Sequence, residues 1–352
     1  MTDSKTIQDF WKTVKDKPNV IGFSGKLQPK ITGGATDPNT RVVRIYVTKK
    51  VPKSTLRPKD LIPISAAGVA TDVVEIGVIK ALGCYRTEIP PTPLASDGRQ
   101  DKHRPLVIGP TAMGVWEGCT ACTLGGFAIN KKAGEDEFVG ILANNHCCAE
   151  ENKAPVGTHY IQPSKYDKGK DPDDKVGTLV RFVEIKFNDF TCAYRNFFHR
   201  LWRAFQPLTQ GNNVDIGFVK LDDGIPYINE IHNVGPLHGK RDAVEGDVVA
   251  KFGRTTGFTQ DGIVTDTAWS GSVRYSRGIV FFQDCVLVSS DGFCAGGDSS
   301  SMVFAYEGTD PLTSTNREYI GNLFAGSDTV AIICKGSNVE SRLEVEVLIG
   351  TT

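Results

Sequence analysis

Long apolar runs are missing from this chain: none of its 352 residues sits in a run approaching the roughly 20 that a membrane span needs. The first twenty residues, MTDSKTIQDFWKTVKDKPNV, are charged throughout and contain no signal-peptide core, so the expectation is a soluble, cytoplasmic protein. Net charge is nearly absent as well, at −1. That balance hides an asymmetry, because residues 1–105 carry 18 Lys+Arg against 10 Asp+Glu and the remainder carries the compensating excess of acid. Docking of opposite halves is the plain reading. No dense Lys/Arg cluster with interleaved aromatics is present, which excludes nucleic acid as a first-choice partner. The glycine-rich frame GxxxxGK[ST] and the dinucleotide fingerprint are both missing; Gly33-Gly34 in TGGAT reads as a turn. No organic cofactor or metal is called for.

Glycine and proline, at 37 and 18, are plentiful and have no period, which excludes collagen and predicts many turns and hence many strands. Residues 4–16 place Ile7, Phe10, Trp11 and Val14 at the spacing of an amphipathic helix. Strand-like runs follow at 20–24, 41–48 and 71–78. Between the last two, 52–61 reads as a loop or a short helix entered through Ser54. The stretch EIPPTPLASDGRQDKHRP has four prolines and no periodicity, marking a linker. These features predict a small α+β domain with its linker over 1–105 and a second domain over 106–352.

The second domain reads as short alternating strands with glycine-rich turns and almost no helix, the pattern of an all-β barrel or sandwich. One segment differs. Tyr194, Phe197, Phe198, Leu201, Trp202 and Phe205 recur at helical spacing, predicting an amphipathic helix over 194–205. Such an aromatic face packs on its own barrel, forms a homo-oligomer or partner interface, or lies on a membrane surface.

Three segments carry chemistry: ILANNHCCAE with His146 near a strand end, NNVDIGFVKL with Asp215 at a strand start, and CAGGDSSSMVF with Ser299 in a glycine-bounded loop. A serine hydroxyl is a poor nucleophile at neutral pH and needs an imidazole to take its proton. The imidazole in turn needs a carboxylate to fix its tautomer. On NNHC, VDIGFV and GGDSSS, in that order, the chain resembles trypsin-like (chymotrypsin-fold) serine proteases. FGRTTGFTQDGIV (252–264) and GNLFAGS (321–327) support the likeness. The layout looks most like the plant narrow-leaf-type subgroup, in which a small domain precedes the protease domain.

The resemblance implies a mainly β fold, a trypsin-like double β-barrel preceded by a small α+β domain. It implies a serine endopeptidase acting on a peptide or protein substrate through His146, Asp215 and Ser299, with Gly297 and Ser299 N–H groups forming the oxyanion hole. Asp298 lies buried beneath that loop with a partner that the sequence does not name. Phe293 stands at the pocket floor, followed by Cys294, so an acid that would select Arg or Lys is missing there and an apolar residue is expected. Residues 324–326 (Phe324, Ala325, Gly326) form the edge strand on which a peptide pairs. Ser300 replaces the usual Gly, and Phe324 replaces the usual Ser beside the triad aspartate. Both departures favour one rival reading, a protease-fold scaffold with negligible turnover; a third reading is an esterase, since the acyl-transfer machinery is shared. Of the nine cysteines, Cys119, Cys122, Cys147 and Cys148 read first as free thiols in a reducing cytosol. One disulfide comes next and a structural zinc last.

Overall fold

The computed structural model describes residues 2–32, 35–83, 97–117, 121–187 and 211–350. The 194–205 segment and Gly33-Gly34 lie outside the described residues. Spatially the chain forms two compact units. One holds residues 1–79, 185–213 and 268–284, and the other holds 80–184, 214–267 and 285–352.

In the first unit, the helix Thr2–Val14 lays Ile7, Phe10, Trp11 and Val14 onto a sheet, where all four are buried. Their 3–4 spacing makes one face of the helix apolar, and burying that face is what holds so short a helix in place. Val20–Ser24 pairs antiparallel with Ala35–Val47 on one side and with residues 269–271 on the other. Ala35–Val47 also pairs in parallel with Val69–Glu75. Trp11 stacks on Phe23 with ring centroids 4.7 Å apart. The segment with Pro52 and Pro58 winds into two single 3-10 turns, Lys53–Thr55 and Pro58–Asp60, as fixed proline φ angles permit.

The second unit is mainly β, in two assemblies that make the double-barrel arrangement of a protease-like fold. The first is an eight-stranded antiparallel sheet. Its order is Val345–Val347, Phe127–Asn130, Val139–Ala143, Gly217–Leu221, Lys175–Phe182, His159–Ile161, Thr111–Val115 and Cys122–Thr123. The second closes on itself. Val248–Gly253, Met302–Tyr306, Arg317–Gly326, Val330–Lys335, residues 285–289 of the strand Gly278–Ser289 and residues 257–267 of the strand Gly257–Tyr275 follow in order, and the last pairs back onto the first. Closure removes the free edges that an open sheet would expose. Inside this ring Val249, Val264, Val286, Val288, Val303, Ile320, Leu323 and Ile333 form a continuous buried cluster.

The strand before His146 ends at Ala143, near the histidine as expected, and His146 sits on the helical turn Asn145–Cys148. Between the last two strands, Val330–Lys335 and Val345–Val347, comes a helix, Gly336–Leu343, that burial of Val339 and Leu343 fixes and that short alternating patterns do not announce. Finally, residues 325–326 are not a free edge: they pair antiparallel with Lys80–Ala81 of the same chain.

Candidate active site

His146, Asp215 and Ser299 lie 69 and 84 residues apart in sequence but are brought together by the two β assemblies. Each assembly supplies part of the constellation. The first carries His146 on its helical turn and Asp215 just before Gly217–Leu221, and the second carries the 294–300 loop entering Met302–Tyr306. His146 Nδ1 is 2.5 Å from Asp215 Oδ2, and His146 Nε2 is 2.7 Å from Ser299 Oγ. A carboxylate only accepts, so the ring proton sits on Nδ1 and Nε2 is left to accept from the serine hydroxyl. The backbone N–H of His146 also donates to Asp215 Oδ1 at 3.2 Å. Asp215 and Ser299 are fully buried and His146 nearly so, which strengthens each of these interactions.

The asparagines of NNHC explain how the turn is held. Asn144 Nδ2 donates to the Asp215 carbonyl at 2.6 Å, and the Asn144 N–H donates to Ser300 Oγ at 2.8 Å. Asn145 Nδ2 donates to the Val183 carbonyl at 2.8 Å. Asp215 lacks the expected serine hydroxyl at position 324, yet its own N–H donates to Cys334 Sγ at 3.2 Å. Burial raises the Cys334 thiol well above its ordinary pKa and keeps it neutral there.

Gly297 adopts φ 103°, a region that side chains disfavour, and this turns its N–H outward to donate to the Leu82 carbonyl at 2.8 Å. Thr123 braces the same loop: its hydroxyl donates to the Gly297 carbonyl at 3.0 Å and its N–H to the Ser299 carbonyl at 2.9 Å. Ser300, standing where Gly is usual, takes the left-handed conformation anyway, with φ 79°. Its strain is opposed by three bonds. The hydroxyl accepts from Asn144, the N–H donates to the Leu323 carbonyl at 2.9 Å, and the carbonyl accepts from Asn322 Nδ2 at 2.8 Å.

The partner of Asp298 is Lys251. Both are fully buried, with Nζ 3.4 Å from Oδ2. Asp298 also accepts from Thr256 Oγ1 at 2.7 Å and from the N–H groups of Ala295, Thr255 and Thr256. Lys251 donates in turn to Thr256 Oγ1 and to the Gly257 carbonyl. Burial pushes the Lys251 ammonium below the ordinary lysine value, while the Asp298 charge opposes that fall. The partner that the sequence did not name is thus a cation from within the Val248–Gly253 strand. The sequence carries a signal for it, since Lys251 is the one charge in the apolar run VVAKF.

Phe293 is buried in the cluster inside the closed ring and Cys294 packs against that cluster. Burial pushes the Cys294 thiol up to about 12, so it is an inert lining group rather than a nucleophile. Phe324, Ala325 and Gly326 are all buried or covered, because the chain's own residues 80–82 lie along them.

The free-thiol reading of the cysteines is corrected for two of the four. Cys122 and Cys147 form a disulfide, while Cys148 is free and buried; Cys119 lies outside the described residues. Ligand atoms of Cys122, His146 and Cys147 fall within 4.8 Å of one another. The two sulfurs are bonded to each other and both imidazole nitrogens are engaged, so this donor set does not fit a resident zinc.

The closed six-stranded ring, its eight-stranded companion and the His146–Asp215–Ser299 geometry define the trypsin-fold class. Residues 104–340 match the family described as the Nal1 C-terminal domain, and the chain belongs to that family. No curated protein matches it. Among solved structures, Thermobifida fusca protease A is 16% identical at a TM-score of 0.42, over 70% of this chain and 99% of that one. A glutamic acid-specific serine protease is 20% identical at a TM-score of 0.42, over 69% and 100%. Cellulomonas bogoriensis chymotrypsin is 16% identical at a TM-score of 0.42, over 69% and 98%.

Proposed function

We propose that the protein is a serine endopeptidase. His146 takes the Ser299 hydroxyl proton as Oγ attacks the scissile carbonyl, Asp215 holds the imidazole in the required tautomer, and His146 then protonates the leaving amine. The N–H groups of Gly297 and Ser299 stabilise the developing oxyanion. Water completes hydrolysis of the acyl-enzyme with His146 again as base. The observation that carries this reading is the continuous relay from Asp215 through His146 to Ser299 Oγ, with Gly297 N–H already on a peptide carbonyl. Phe293 and the aliphatic cluster around it support an apolar residue on the acyl side of the cleaved bond.

The scaffold reading drew on Ser300 and Phe324. Ser300 nonetheless adopts a left-handed backbone conformation open to glycine, and the Asp215 carboxylate accepts from the His146 N–H as well as from its ring, so neither favours loss of turnover. Placement within the plant narrow-leaf-type subgroup belongs to the same proposal and is supported by the small unit that accompanies the protease-like one. A cytosolic setting also belongs here; both half-cystines are fully buried, which shields the bridge from thiol reductants. The test is hydrolysis of matched peptide and ester substrates with an apolar acyl residue. Cleavage of both by the wild type and of neither by Ser299→Ala supports a peptidase. Ester cleavage alone supports the esterase, and neither activity supports the scaffold.

A further inference from the structure

Resting on that reading, we infer that residues 80–83 are bound in the cleft as a peptide substrate and that the chain cuts its own Leu82–Gly83 bond. Four contacts coincide on this segment. Ala81 and Lys80 pair antiparallel with Ala325 and Gly326, and the Leu82 N–H donates to the Phe324 carbonyl at 3.0 Å. The chain therefore runs along residues 324–326 in the way an added substrate strand does. The Leu82 side chain, 8% exposed, joins the buried cluster that contains Phe293, Val288 and Val264. The Leu82 carbonyl accepts from the Gly297 N–H at 2.8 Å, the donor aimed at the developing oxyanion. Beyond the carbonyl, Gly83 passes so close to the imidazole that a Cβ there would lie 2.7 Å from His146 Cδ2 and 3.4 Å from Nε2.

A strap held only for stability needs strand pairing and a buried leucine. It has no need to present its carbonyl to the Gly297 N–H, or to set the following α-carbon against the base. Those last two contacts are what an acyl transfer uses. With Leu82 seated, Ser299 Oγ is fully buried, so a peptide from outside must displace this segment.

The step balances without a co-reactant other than water. Ser299 Oγ bonds to the Leu82 carbonyl carbon as its proton passes to His146 Nε2. The C–N bond to Gly83 breaks and that nitrogen takes the proton from His146. Water then cleaves the ester, leaving a Leu82 carboxylate, a free Gly83 amine and the restored Ser299 hydroxyl. The substrate class that follows is a peptide with leucine, or a similar apolar residue, on the acyl side and glycine after the bond.

The full chain is purified as wild type, Ser299→Ala, Leu82→Ala and Leu82→Asp, checked for folding by circular dichroism, and followed by intact mass and N-terminal sequencing. The inference expects fragments 1–82 and 83–352 from the wild type, at a fractional rate independent of protein concentration. It expects Ser299→Ala to stay whole and Leu82→Ala to be slowed by roughly tenfold or more. A wild type that stays whole while Leu82→Ala or Leu82→Asp is labelled at Ser299 by a fluorophosphonate overturns self-cleavage and leaves the peptidase reading standing. Cleavage at another bond, or at a rate that rises with concentration, overturns it equally. If no folded variant is cut or labelled, the peptidase reading falls and the inference falls with it.

Discussion

The two β assemblies of the protease-like unit hold their functional groups by different means. Around His146 and Asp215 the support is neutral: asparagine amides, a buried thiol and the Cys122–Cys147 bridge. Around Ser299 it is ionic, a fully buried Lys251–Asp298 pair ringed by threonines. The difference follows from what each region must do. The imidazole gains a proton during the proposed reaction, and a neutral surround leaves Asp215 as the charge that answers it. The 294–300 loop must keep two backbone N–H groups pointing one way through strained φ angles, and a charge pair with several hydrogen bonds over-determines that shape.

Removing the nucleophile should have the largest effect. Ser299→Ala is expected to lower kcat by about a millionfold, and His146→Ala by about as much with no further loss in the double variant, because the groups act as a unit. Steady-state kinetics on both single variants and the double checks this. Wild-type turnover in Ser299→Ala alongside loss in Ser300→Ala would place the nucleophile one residue later.

Breaking the ionic support comes next. Lys251→Met strands a buried carboxylate and should cost about 3–5 kcal/mol of stability, read by denaturant melting, together with nearly all turnover. The neutral side should be less sensitive. Cys122→Ser/Cys147→Ser opens a crosslink spanning 25 residues and should cost about 3 kcal/mol, while the folded fraction stays active.

A milder test uses pH. Burial lowers the Lys251 pKa in the folded state below the ordinary value near 10.5. Below the folded value the lysine is charged whether folded or unfolded, and above 10.5 it is neutral in both. Between them the unfolded chain holds a proton that the folded one has shed, so this group's contribution to stability rises with pH through that window. The charge facing Asp298 is lost over the same interval. Activity should therefore fall before pH reaches 10.5, without a matching fall in Tm from this group. Parallel profiles of kcat/KM and Tm across the alkaline range check it. The smallest effect expected is from Ser300→Gly. Relief of left-handed strain and loss of the Asn144 bond oppose each other, leaving a change within about 1 kcal/mol.

The parts legible in the sequence were those with local signatures. Alternation gave the strands, the 3–4 spacing of Ile7, Phe10, Trp11 and Val14 gave the first helix, and the flanks of His146, Asp215 and Ser299 marked three points in one chemistry. What stayed hidden depends on partners far along the chain. Lys251 finds Asp298 across 47 residues, and Thr123 meets Gly297 across 174. Residues 80–83 looked like the tail of the first domain because nothing in KALG shows which strand it will pair with. The disulfide ranked behind free thiols because spacing alone does not tell a thiol from a bridge, and a reducing cytosol favours the thiol.

The most direct test of the central claim, that Asp215 and His146 activate Ser299, is the rate of fluorophosphonate labelling with the adduct mapped by peptide mass. A single adduct on Ser299 is expected, formed by the wild type and slowed by orders of magnitude in His146→Ala and Asp215→Asn. An adduct on any other residue, or labelling of Ser299 that is equally fast without His146, would contradict it.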